Sequence, residues 1–133
     1  MPYSVLRTSV KREEVTSEFL KGLSETLAKC FGYGIKRIAV EVHTDLRIMV
    51  GGEIGDAPYL FLYMVGVGIK KADVSNTPSL EYVQGAIPSA QDPDRFLLNF
   101  HPQDPDLLGM RGTTVTEVLW QLGLEDKIVY PEK

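Results

Sequence analysis

Apolar positions in this chain alternate between the two-residue period of a strand and the three-to-four-residue period of a helix, and the order of these stretches predicts the fold. Residues 3–10 are rich in β-branched and apolar side chains, with Val5 and Val10 of strand character, and predict a strand that ends at the solvated turn Lys11-Arg12-Glu13-Glu14. Phe19, Leu20, Leu23, Leu27, Cys30 and Phe31 then recur at helical spacing. Thr16 or Ser17 offers the N-cap of this helix and Gly32 its stop. From Arg37 to Thr44 the pattern alternates strictly, with Ile38, Val40 and Val42 on one face and Ala39, Glu41 and His43 on the other, as in a half-buried strand. After a turn at Asp45, Leu46 to Val50 predicts a further short strand, closed by Gly51-Gly52.

The second half repeats the order. Tyr59 to Val67 is a nearly continuous apolar run, the pattern of a central strand covered on both faces. A poorer helix follows from Asn76 or Thr77, with Pro78 in its first turn and Leu80, Val83 and Ile87 as its stripe. Arg95 to His101 predicts the next strand and Thr113 to Val115 a short one, with one or two helical turns at Val118 to Leu122. Arg37-Ile38-Ala39-Val40-Glu41-Val42 aligns with Arg95-Phe96-Leu97-Leu98-Asn99-Phe100, and the stripes Leu20, Leu23, Leu27 and Leu80, Val83, Ile87 share a spacing. The expected architecture is therefore α+β: two βαβ repeats forming one four-stranded mixed sheet with both helices on one face. The other face then needs a cover, which points to oligomerisation. Residues 1–115 are expected to form the domain, with 116–133 a partly ordered C-terminal extension.

Composition narrows the class without naming a function. At 133 residues, 44% hydrophobic and 24% charged, the chain has the make-up of a single globular domain. A net charge of −4 argues against a general nucleic-acid binder. Cys30 is the one cysteine, so no intrachain disulfide or zinc motif is available, and its place in an apolar stripe suits a structural thiol. His43 and His101 are not grouped with carboxylates at ligand spacing, so no metal and no cofactor is expected. Neither a secretory signal peptide nor a bilayer-spanning run is expected, which leaves a cytoplasmic location or export by a non-classical route.

Candidate chemistry sits at the start of the chain. Met1-Pro2 is followed directly by strand residues, and removal of Met1 would leave Pro2 with a free secondary amine. An α-amino group titrates near pH ~8, and burial or a neighbouring cation lowers that value toward neutrality. A base poised there suits proton abstraction. The same dipeptide is equally the ordinary start of a protein, so further residues must decide.

Four segments supply them: Pro2 with the strand ending Arg7-Thr8-Ser9-Val10; Ile38-Ala39-Val40-Glu41-Val42; Gly51-Gly52 and the strand to Val65-Gly66; and Pro93-Asp94-Arg95 running to Gly109 and Gly112-Thr113-Thr114. In order and spacing they resemble the macrophage migration inhibitory factor and D-dopachrome tautomerase family of the tautomerase superfamily. The resemblance implies a homotrimer with active sites between subunits. It implies that Pro2 is a catalytic base for keto–enol tautomerisation of phenylpyruvate- or dopachrome-like substrates. It also implies cytokine-like signalling through a cell-surface receptor in members that leave the cell without a signal peptide. Residue by residue, Pro2 matches the base, Val65 a position whose backbone meets substrate, and Asn99 a pocket asparagine contributed across the subunit interface. Tyr33 stands where the family usually has a pocket lysine, and a phenol cannot supply that charge. Leu97 replaces a pocket tyrosine, as in the dopachrome tautomerase branch. Arg37 stands where that branch has an arginine and would take the substrate carboxylate; a solvated surface charge at a strand start is the competing reading. The stretch Ala57-Pro58-Tyr59-Leu60 lacks the C-x-x-C of some members, so thiol–disulfide chemistry is not expected. The expectation is a tautomerase with Pro2 as base. The alternative is a secreted cytokine-like binding protein with a weak or vestigial pocket.

Overall fold

Strand β1 (Tyr3–Thr8) lies inside the sheet, flanked by β2 (Ala39–His43) and β3 (Leu60–Gly66), with β4 (Phe96–Pro102) beyond β3, so the order is β2-β1-β3-β4. The structure is a computed structural model and describes residues 3–69 and 77–131. β1 runs parallel to β2 with Tyr3 opposite Ala39, and antiparallel to β3 with Tyr3 opposite Val65. β3 runs parallel to β4, pairing Val65 with His101. The expected four-stranded mixed sheet is thus present, with two helices packed on one face.

Helix α1 (Ser17–Phe31) forms where its apolar stripe predicts. Thr16 caps its start by accepting the Phe19 N–H at 3.1 Å, and Gly32 ends it in the left-handed region at φ 67°. Its buried residues Phe19, Leu23, Leu27 and Phe31 meet Leu6, Leu62 and Met64 from the sheet and Val83 and Ile87 from the second repeat. Helix α2 (Thr77–Ala86) follows the described gap; the N-cap reading at Asn76 falls outside the described residues. Gly22 lets the two helices close up. A Cβ there would stand 2.1 Å from the Tyr82 hydroxyl, which donates to the Phe19 carbonyl at 2.7 Å.

Two expectations are corrected. Leu46 to Val50 is no strand: Leu46 N–H donates to the Thr8 carbonyl, and Val50 then makes only an isolated bridge to Glu53 across Gly51-Gly52. The turn falls at Asp45, φ 56°, whose N–H donates to the Val10 carbonyl, and after Leu46 no ladder propagates through residues 47–49. The apolar run at β3 is also not covered on both faces in one chain. Leu60, Leu62 and Met64 are buried beneath the helices, whereas Phe61, Tyr63 and Val65 on the opposite face are only half-buried. Both helices occupy the same side, so among the described residues no helix covers this second apolar row.

After β4 the chain forms a small hairpin, β5 (Gly109–Met110) with β6 (Thr113–Thr114), and then helix α3 (Val115–Gln121). Val115 and Leu119 of α3 pack on Val67 just past the end of β3, with Leu108, Met110, Leu124 and Ile128 around them, as a second, smaller apolar cluster. A 3₁₀ turn at Glu125–Lys127 follows.

Candidate active site at the start of the chain

The strand directions gather a set of segments at one end of the sheet. β1 begins there, β3 ends there, and the 3₁₀ turn Ile35–Arg37 leads into β2 there. Pro2 itself falls outside the described residues, but it is bonded to Tyr3, which pairs with Ala39 on one side and Val65 on the other. Val65 is therefore brought opposite the first strand residue, two positions before the buried Val67. Arg37 is half-buried two residues before Ala39, and its charge is felt at the Tyr33 phenol.

Tyr33 closes this end from the helix layer. It follows the α1 C-cap, its N–H returns to the Ala28 carbonyl at 3.1 Å, and the residue is 7% exposed. The hydroxyl donates to the Val67 carbonyl at 2.8 Å, which satisfies both groups in a dry setting. Burial, then the Asp126 carboxylate, push the phenol up to about 12 against an opposing pull from Arg37. Tyr33 is thus a neutral, occupied donor. Lys127 supplies a cation nearby, with Nζ 5.0 Å from the Tyr33 ring centroid and donating to the Phe31 carbonyl at 2.9 Å. Local patterning could not reveal this contact, because the partners lie 96 residues apart in the chain.

Asn99 is not part of this gathering within one chain. It lies exposed on the open sheet face opposite Tyr63, two strands across from β1 and two residues back from the Val65 row. Strand spacing and rise put it about 12 Å from Tyr3. The same face carries a polar group at its other edge: Glu41 accepts from the Tyr3 hydroxyl at 2.9 Å and is bonded to His43 Nε2 at 2.8 Å. These bonds, His43 first and Tyr3 second, hold the Glu41 carboxyl below its usual range. Between lies the ring row Tyr59, Phe61, Tyr63 and His101, with successive centroids 4.6, 6.4 and 6.1 Å apart. Cys30 is partly buried, and burial pushes its thiol up, away from thiolate reactivity. Among the described residues no group of three or more metal-ligating side chains is found, and no helix is long and apolar enough to cross a membrane.

The fold is shared with solved structures of macrophage migration inhibitory factors. That of Trichinella spiralis superposes with a TM-score of 0.71 over 84% of this chain and 98% of that one, at 22% identity. That of Oncomelania hupensis gives 0.75 over 94% and 95%, at 16% identity. At such identities the likeness establishes the fold. The sequence carries the rest: residues 1–116 match the macrophage migration inhibitory factor (MIF) family, and the chain belongs to it. It is similar to a D-dopachrome decarboxylase-B of Xenopus laevis, 29% identical over 87% of this chain and 98% of that protein. It is likewise similar to the MIF-like protein mif-2 of Caenorhabditis elegans, 27% identical over 88% and 97%. Membership supports a tautomerase-type function at the level of the family.

Proposed function

We propose that this protein is a keto–enol tautomerase of phenylpyruvate- or dopachrome-like substrates, working as a homotrimer with Pro2 as general base. The observation that carries the reading is the convergence at the chain start: Tyr3, bonded to Pro2, sits between Ala39 and Val65, with Arg37 entering β2 at the same end. Once Met1 is removed, the Pro2 nitrogen takes the proton from the enol oxygen and delivers it to the carbon two atoms away, so that an O–H bond breaks, a C–H bond forms and the C=C bond is exchanged for C=O. Arg37 holds the substrate carboxylate, ideally through two parallel hydrogen bonds. Positioned general base catalysis contributes about 10²–10⁴-fold. The cation also lowers the amine's pKa and keeps it unprotonated near neutral pH. Asn99, too distant from Tyr3 in its own chain, would serve the site of a neighbouring subunit, and the uncovered row Phe61, Tyr63 and Val65 would supply the contact between subunits.

One observation favours the second reading, a cytokine-like binding protein with a vestigial pocket. The Tyr33 hydroxyl is committed to the Val67 carbonyl and adds no positive charge to the site. Intact mass and turnover separate the two readings. A mass lacking Met1, together with conversion of enol-phenylpyruvate or a dopachrome ester, is expected. A retained Met1, or no turnover by processed protein, would leave only the binding role.

A further inference from the structure

Residues 46–48, past the point where Leu46 bonds Thr8 at the end of β1, enclose a cavity of about 320 Å³ against the open face of the sheet. Its walls are Arg7 of β1, Phe61 and Tyr63 of β3, and Leu46, Arg47 and Ile48. Arg7 stands directly opposite Phe61 in the register of the two strands, so its side chain starts beside that ring. The Phe61 and Tyr63 rings lie 6.4 Å apart at 18° and form a nearly parallel pair. The cavity thus joins two cations to two aromatic rings, and no carboxylate lines it. Among the described residues neither guanidinium makes a hydrogen bond or an ion pair. Glu41, the one carboxylate that β1 to β4 place on this face, is already engaged by Tyr3 and His43. Two like charges that share a cavity repel, and an anion between them relieves both.

We infer that this cavity is a binding site for an aromatic oxyanion, a flat ring that carries a carboxylate, sulfate or phosphate. The charged group lies between Arg7 and Arg47, whose planar forks match the paired oxygens of such groups. The ring lies against Phe61 and Tyr63, where stacking and burial hold it. The volume falls at the lower end of the range of small-ligand clefts and suits a ligand with one ring. Four strand residues separate Arg7 from Tyr3, about 13 Å along β1, so the site is away from the end of the sheet where β1 begins. Arg37 does not line it. A neighbouring subunit on this face would not remove the need for an anion, because closing over two unneutralised guanidiniums buries like charges at a cost.

The test uses the full chain and four probes: benzoate and phenyl phosphate as whole ligands, inorganic phosphate and benzyl alcohol as their separate halves. Affinity is measured by calorimetry at low ionic strength, and the ligand is located by nuclear Overhauser effects from its ring protons to those of Phe61 and Tyr63. At least one whole ligand is expected to bind about tenfold or more tightly than either half and to show those effects. Arg7→Met and Arg47→Met are each expected to weaken it about tenfold, as loss of a charge-assisted hydrogen bond implies. Arg37→Ala, and Lys29→Met on the exposed surface of α1, are expected to leave this binding within twofold of native. Binding that Arg37→Ala removes and the Arg7 and Arg47 variants leave unchanged belongs to the other end of the sheet and overturns the inference. A half that binds as tightly as the whole ligand overturns the aromatic oxyanion class. No binding overturns the site whatever the assembly; with a trimer mass by light scattering, that result assigns the cavity to a neighbouring subunit instead.

Discussion

Tyr33 shows how one side chain can answer a local demand and define a site. Its hydroxyl satisfies a carbonyl at the end of the sheet, and its ring closes the space beneath α1. Tyr33→Phe strands the Val67 carbonyl in a buried setting and is expected to cost about 1–3 kcal/mol in urea unfolding. The same residue sets an alkaline limit. Its folded pKa of about 12 exceeds the unfolded value of 10.0, so between those values the folded chain holds a proton that the unfolded chain has lost. The contribution is complete below pH 10, drains away as pH rises through 12, and is absent in Tyr33→Phe, whose stability curve should be flatter over that window. Arg37 carries the substrate-binding prediction. Arg37→Ala should raise KM for phenylpyruvate about ten- to a hundredfold with a smaller change in kcat, as expected when a charge-assisted contact made in both ground and transition state is lost.

Elements were legible where their determinants are local. Thr16, the stripe from Phe19 to Phe31 and Gly32 define α1 within one stretch, and strict alternation defines β2. The turn at Asp45 was legible, but the stretch from Leu46 to Val50 has the composition of a strand without a partner strand to pair with, and composition does not register that absence. The contact of Lys127 with Phe31 and Tyr33 spans most of the chain and leaves no periodic trace. For the site, Arg37 and Val65 could be picked out by resemblance, and the sheet register shows why they share an end; the place of Tyr33 emerges only from packing. Element packing is tested at two glycines. Gly22→Ala forces Tyr82 off its bond to Phe19 and should cost about 1 kcal/mol, read by thermal unfolding. Gly68→Ala meets both a positive φ and the Lys127 carbonyl, and a loss of about 1–3 kcal/mol is expected.

At the scale of the whole molecule, a two-layer fold with an apolar second face calls for partners. Phe61, Tyr63 and Leu97 share that face, Leu97 being 48% exposed in the single chain. Light scattering is expected to give three times the chain mass. Phe61→Glu, which places a charge amid the ring row, should shift the protein to monomer and remove turnover with it. A monomeric native protein that still turns over would remove the shared site, because Asn99 could not then reach a neighbour's Pro2. The central claim, that the Pro2 nitrogen does the chemistry, is tested most directly by measuring ketonisation of enol-phenylpyruvate with the processed native protein and Pro2→Gly side by side. The account predicts a loss of kcat/KM of at least about a hundredfold in Pro2→Gly; equal rates in the two proteins would contradict it.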